Sequence, residues 1–422
     1  MIQVLASAWP LLLGIGLLMI GNGLQGTLLG VRGEIEGFST LEMSFVMSAY
    51  FIGFLGGSSR APTMIRRVGH VRVFAALASL ISAVIILFPA LTEPVAWFIG
   101  RVILGFCFSG VYVTAESWLN NAADNEHRGK ALSLYVVVQM IGIVTAQGLL
   151  LVADPAGYNT FIIASVLISI SFAPILLSIS PTPAFDTTQK MSLRELFTLS
   201  PLGCVGMFLL GGIFSAMFGM SAVYGAQAGL TLGQISIFVA MFYASAMIVQ
   251  YPLGWLSDRM ERRTLILAVS VIGTLGGLVG MALGSHYYAL LGAAFIIGGM
   301  SNPLYSLLVA HTNDFLEHED MAAASGGLVF INGLGAVAGP MITGWLMGPK
   351  VLGPPGFFLF LALLLGALAV YSGFRMTRRA AIPVEDTGSW ASVSPILTPV
   401  AMEVAQEVAI EADLSEEEEA AT

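Results

Sequence analysis

Apolar residues in this chain come in long unbroken runs, not in the short alternations of a half-buried sheet. Twelve runs of roughly 20 residues or more are long enough to cross a bilayer as helices. Six lie at 9–30, 41–59, 73–91, 95–119, 131–152 and 158–179, and six more at 201–224, 232–253, 265–283, 287–313, 322–347 and 356–374. The segment between the two groups holds Pro181, Pro183, Lys190 and Arg194 and reads as a linker. The pattern predicts an all-α integral membrane protein with an N-terminal six-helix bundle over 1–180 and a linker over 181–200. A C-terminal bundle follows over 201–377, and a tail over 378–422.

Polar residues inside the runs are few and uneven. In the fourth run Arg101, Gly105, Phe108, Tyr112 and Glu116 share one helical stripe, within roughly 80° at about 100° per residue. A charge facing lipid costs about 2.5–3.5 kcal/mol, so this stripe is expected to face protein or water. Arg101 and Glu116 stand roughly 22 Å apart along the helix and cannot pair within it. Asn22 and Gln25 are three apart in the first run, and Asn302 and Tyr305 repeat that spacing in the tenth, where Pro303 loosens the helix. Gln139 lies in the fifth run and Asn332 in the eleventh, while runs three, six, nine and twelve carry no amide or charge in their interiors. A single amide reads most simply as glue between helices, at about 0.6 kcal/mol. As a set, Asn22, Gln25, Tyr112, Gln139, Asn302, Tyr305 and Asn332 are the candidate lining of a solute cavity.

Composition agrees. Hydrophobic residues make up 56% of the 422 and charged residues 10%, with a mean hydropathy of +0.86, against about 25% charged for a soluble domain. Cys107 and Cys204 both lie in apolar runs and support neither a disulfide framework nor a metal site. The net charge of −9 belongs to the tail, which holds ten acids and no base after Arg379; the remaining 16 acids against 17 bases leave the body at +1. Nucleic-acid binding has no support, and the tail is expected to be solvated and disordered. Of the 17 Lys and Arg, 14 fall in loops on the face that carries the termini, and Arg32 and Lys350 fall on the other. That asymmetry predicts cytoplasmic termini in a plasma (inner) membrane.

The loop between runs eight and nine reads Gly254-Trp-Leu-Ser-Asp258-Arg259-Met-Glu261-Arg262-Arg263. This resembles the signature loop of the major facilitator superfamily, with Glu261 in place of a usual Gly. The equivalent first-half loop keeps the later Arg and Gly, but has Pro62 for Gly and Arg66 for the acid. Arg101 and Gly105 are similar to the family's fourth-helix Arg-x-x-x-Gly element, associated with proton coupling. The two halves also echo each other, Gly142 to Gly148 resembling Gly335 to Pro340. The resemblance implies a non-enzymatic, monomeric secondary transporter with two pseudo-symmetric six-helix bundles, taking a small-molecule substrate, with protons as coupling ion and lipid as solvent. Glu116 is the candidate proton carrier, with an anchoring role for Arg128 as its alternative.

In the family each signature loop latches against the opposite half. Here that predicts a cytoplasmic gate in which Asp258 faces Arg128, while Arg66 and Arg67 face Asp314, Glu317, Glu319 and Asp320. Arg259 and Arg262 complete it, and the latches hold the outward-open state. The Gly-Pro that antiporters of the family often carry in helix five is replaced by Ala146-Gln147, so uptake and efflux both stay open. No Gly-x-x-x-x-Gly-Lys-Ser/Thr loop occurs and no cofactor is implied. The competing reading is a membrane sensor or scaffold whose acidic tail recruits a partner.

Overall fold

The computed structural model describes residues 2–122, 125–176 and 191–378, together with Pro383, Val393, Thr398–Met402 and Val404–Gln406 of the tail. Among the described residues, twelve helices are long and apolar enough to cross a membrane. They are α1 (Trp9–Ile35), α2 (Thr40–Val68), α3 (His70–Leu87), α4 (Pro94–Asn120), α5 (Gly129–Leu149) and α6 (Asn159–Leu176). The second set is α7 (Pro201–Gln227), α8 (Leu232–Ser257), α9 (Arg262–Leu283), α10 (Tyr287–Asn313), α11 (Ala323–Leu346) and α12 (Gly356–Met376). A short helix, Leu193–Leu199, precedes α7.

Local chemistry sets several of the ends. Ser39 and Glu42 form a capping box at the start of α2, and Thr231 and Gln234 form another at the start of α8, the equivalent helix of the second half. Ser200 caps α7 with Pro201 in the first turn, where a missing N–H costs nothing. Gly69, at φ 86°, makes the sharp junction between α2 and α3. Pro303 does not break α10, which runs continuously through it.

Packing repeats between the halves. In the first, α1 packs on α5 and α6, α2 on α4, and α3 on α4 and α6; in the second, α7 packs on α11 and α12, α8 on α10, and α9 on α10 and α12. The helices without interior amides, α3, α6, α9 and α12, pack within their own halves. Their free sides present apolar residues such as Leu275 and Val370, the surface that lipid covers. Because helices alternate in direction, the loops that follow even-numbered helices share a face with the termini. That face is called here the terminal face, and the opposite one the distal face.

The halves meet through α1 with α7, α2 with α11, and α5 with α8. These contacts include the distal ends: Gly30 packs on Ala222, Gly344 on Ser44, and the Ser236 hydroxyl donates to the Gln147 carbonyl. Toward the terminal face the space between halves holds part of the tail. Val393, Thr398, Ala401, Met402 and Val404–Gln406 are buried, in contrast to the solvated tail expected from charge. The acids that dominated that expectation lie outside the described residues; the buried positions are uncharged ones between them.

Candidate functional site

The polar residues of α1 and α4 meet midway through the N-terminal bundle. The Arg101 guanidinium donates to Gln25 Oε1 at 3.1 Å, Gln25 Nε2 donates to Asn22 Oδ1 at 3.0 Å, and Asn22 Nδ2 donates to the Tyr112 hydroxyl at 2.9 Å. Four residues chosen from the sequence thus form one continuous hydrogen-bonded chain. It becomes continuous because Asn22 and Gln25 share a face of α1 while Arg101 and Tyr112 share the facing stripe of α4. Arg101 is 4% exposed; its charge lies 4.7 Å above the Tyr50 ring, and a second guanidinium nitrogen contacts Met47 Sδ.

This chain forms one wall of a cavity of about 130 Å³, several times the roughly 10–15 Å³ that one water requires. Tyr50, Phe54 and Gln147 extend that wall, and Phe214, Phe218, Tyr243 and Asn332 face it from the other half. Phe218 stacks on Tyr243 at 4.8 Å with planes 12° apart, and on Phe214 at 5.7 Å and 16°. Behind these rings α7 makes a π-helical turn over Ala216–Met220, the kind of helix defect that gathers at functional sites. Asn332 donates to the Met207 carbonyl at 3.0 Å, tying α11 to α7 at the cavity edge.

Among the sequence candidates, Asn22, Gln25, Arg101, Tyr112 and Asn332 line this cavity. Asn302 instead donates to the Gly298 carbonyl of its own helix at 3.2 Å, and Tyr305 packs edge-on against Phe214. Gln139 is fully buried, with both amide atoms lacking a partner among the described residues. Tyr50 and Phe54 were not singled out by the sequence, since an aromatic on an apolar helix reads as packing or lipid contact. Gln147 had only its type to mark it; its amide accepts from Thr27 at 3.1 Å.

Glu116 belongs to a separate cluster near the terminal face. It accepts from the Tyr135 hydroxyl at 3.1 Å and from the Thr398 amide at 3.1 Å, and the Thr398 hydroxyl also donates to it. The acid of the fourth-helix stripe is therefore engaged by the tail and by α5. Its alternative partner, Arg128, has a side chain outside the described residues, as does Glu319, so the Asp258–Arg128 pairing lies outside the described contacts.

Asp314, one of the acids expected opposite Arg66 and Arg67, has a partner within its own half. Arg262 pairs with Asp314 and donates to the Ala310 carbonyl at 3.3 Å, joining α9 to α10 inside one half. Arg263 likewise pairs with its neighbour Glu261 at 2.8 Å. A buried guanidinium takes the acid its own bundle presents, and α9 begins beside the end of α10. Arg66, Arg67, Asp258 and Arg259 lie exposed at the terminal face, with Arg259 stacked 4.3 Å over Trp255. His70 is buried at the start of α3, 3.0 Å from the Ser117 hydroxyl.

Two six-helix bundles with matching packing, enclosing a cavity of mixed polar and aromatic lining at their interface, are the architecture of an alternating-access membrane transporter. The chain belongs to the Major Facilitator Superfamily, whose sequence profile matches residues 11–249 and 202–406. It is 25% identical to the uncharacterized MFS-type transporter YcaD of Salmonella heidelberg over 341 residues, which cover 80% of this chain and 88% of that protein. The Escherichia fergusonii YcaD matches at 25% over 340 residues, with the same coverage. In fold the chain is similar to a D323A mutant of the nucleoside transporter NupG, with a TM-score of 0.74 at 13% identity, covering 87% of this chain and 99% of that one. It is also similar to a bacterial homolog of the human lysosomal transporter Spinster, solved inward-facing and unoccupied, with a TM-score of 0.65 at 13% identity over 95% and 97% of the two chains. The protein is thus a multi-pass membrane transporter, from a family that is not enzymatic.

Proposed function

We propose that the chain is a secondary active carrier that moves a small organic solute by alternating access, with the cavity between the halves as its solute site. The observation that carries this reading is the hydrogen-bonded chain Arg101–Gln25–Asn22–Tyr112. Polar glue serving one bundle has no reason to line a cavity whose far wall belongs to the other bundle. The 14 bases that the sequence pattern assigns to the side of the termini favour a cytoplasmic terminal face in the plasma (inner) membrane. On that orientation the distal contacts close the outside, and the carrier stands inward-facing. The gate residues Arg66, Arg67, Arg128, Asp258 and Arg259 are proposed to join the two halves across the terminal face in the outward-facing state. A monomer suffices, since both walls of the cavity come from one chain.

Protons are the expected coupling ion. Glu116 is a buried carboxylate near the terminal face, separate from the Arg101 network, and is the candidate that loads and releases the proton. The test uses the full-length protein in proteoliposomes, with solutes first selected by thermal shift. Flux that follows an imposed pH gradient supports the reading, and Glu116→Gln should leave residual flux indifferent to that gradient. Unchanged proton-driven flux in Glu116→Gln would remove Glu116 from the coupling role.

A further inference from the structure

We infer that the transported solute is a flat organic monoanion, in the first instance an aromatic carboxylate; this rests on the carrier reading above. Arg101 is the charged residue among those lining the cavity, and no Asp, Glu, His or Lys joins it there among the described residues. Its partners are neutral: the Gln25 amide oxygen, the Met47 sulfur and the Tyr50 ring. Among the described residues its Nε hydrogen has no acceptor. A buried guanidinium without a counter-charge is costly, and a carboxylate is the group that its planar fork satisfies through two parallel hydrogen bonds. The opposite wall supplies the second feature, the near-parallel rings of Phe214, Phe218 and Tyr243. A ligand with its anion at Arg101 and a planar body along those rings satisfies both walls, and the volume limits it to a small molecule.

The probes are benzoate and indole-3-carboxylate, with benzamide as neutral match and benzylamine as cationic match. On purified full-length protein the carboxylates should raise the melting temperature, and the amide and amine should not. Arg101→Gln should weaken carboxylate binding at least tenfold. Arg101→Lys, which keeps the charge and loses the fork, should keep the preference for anions with a smaller loss. Equal binding of all three charge types, or carboxylate binding unchanged in Arg101→Gln, overturns the anion assignment and leaves the carrier reading intact. Carboxylates that bind without moving across the proteoliposome membrane overturn the carrier reading and leave the anion assignment standing.

A second inference rests on different contacts. We propose that the described tail residues Val393, Thr398–Met402 and Val404–Gln406 form a built-in plug for the vestibule on the terminal face. It is hydrogen-bonded to both halves at once. On the first half, Thr398 donates to Glu116 through its amide and hydroxyl. On the second, the Val393 backbone exchanges two bonds with the Ser306 hydroxyl, at 2.9 and 3.0 Å. Gln406 accepts from Ser325 at 2.8 Å and donates to Asn313 at 3.1 Å. Ala401, Met402, Val404 and Ala405 bury their apolar side chains there. A segment bonded to both halves has to leave before their ends can approach, and it also occupies the Glu116 carboxylate. The bound tail therefore holds the carrier in one state.

The test places a cysteine at Ser306→Cys or, separately, Ser325→Cys, with Cys107 and Cys204 changed to Ala, and measures labelling by a water-soluble maleimide. Using two positions guards against loss of one hydrogen bond releasing the tail. The full chain should label slowly, and truncation of residues 391–422 should speed labelling at least fivefold. A synthetic peptide spanning 391–406 should restore protection. A disulfide between Ser306→Cys and Val393→Cys should stop carboxylate flux until it is reduced. Equal labelling with and without the tail overturns the plug. So does loss of flux on truncation, which is what a partner-recruiting tail would give.

Discussion

At the scale of single residues, buried charge in this protein is handled in two ways. Arg262 and Asp314 are both almost fully buried and face each other between α9 and α10. Removing one partner of such a pair strands the other, at a cost of about 3–5 kcal/mol, whereas replacing both by apolar groups can be neutral. Arg262→Ala should therefore lower the melting temperature of the purified protein by several degrees, and Arg262→Leu with Asp314→Leu should recover most of the loss. If the single variant melts with the parent, the pair contributes nothing to the bundle. Arg101 represents the other arrangement, a cation whose partners are amide, sulfur and ring, and the proposed solute anion would supply the counter-charge those partners lack.

Among elements, the seam between α2 and α4 shows why glycine recurs in this chain. A side chain at Gly53 or Gly57 would run into the backbone of Val102 or Phe106, and one at Gly105 into the carbonyl of Tyr50. Close approach of helices is how packing is gained in lipid, where burying apolar surface brings nothing. Here it also brings Tyr50 beneath Arg101, so the Arg-x-x-x-Gly spacing has a geometric meaning. The arginine needs the ring, and the glycine lets the ring's helix come close. Gly105→Val should force α2 and α4 apart, lowering the melting temperature and weakening carboxylate binding together. Gly148→Ala, where an added Cβ meets nothing within 4 Å, should change neither. Thermal shift with and without benzoate reads both effects, and a Gly105→Val protein that binds normally would show the seam to be irrelevant to the site.

For the whole molecule, the proposed carrier cycle requires the two bundles to move against each other. In the observed state they join near the distal face, where Ser44 of α2 lies against Gly344 of α11. Alternating access requires this contact to open in every cycle. A short crosslink between Ser44→Cys and Gly344→Cys should therefore form readily and abolish flux, with recovery on reduction. Full flux in the crosslinked protein would mean that the halves transport without parting there.

The twelve helices, their grouping in two halves and the polar stripes of α1 and α4 follow from the sequence alone. In a bilayer every apolar run of sufficient length is driven to span, and every polar exception stands out against it. Helical spacing put Asn22 with Gln25 and Arg101 with Tyr112 on single faces, so their joining needed one further fact, that α1 and α4 face each other. Other features had no such local signal. Asn302 turned to its own backbone, and Tyr50 and Phe54 became cavity wall, because rotation and crossing of helices decide which side meets water. Arg262 found Asp314 inside its own half because packing distance, not loop pattern, selects an ion-pair partner. The tail's insertion between the halves was also decided by tertiary structure. Its apolar positions are too few to register against the surrounding acids, and they gain a place only when two bundles leave a buried space of matching shape.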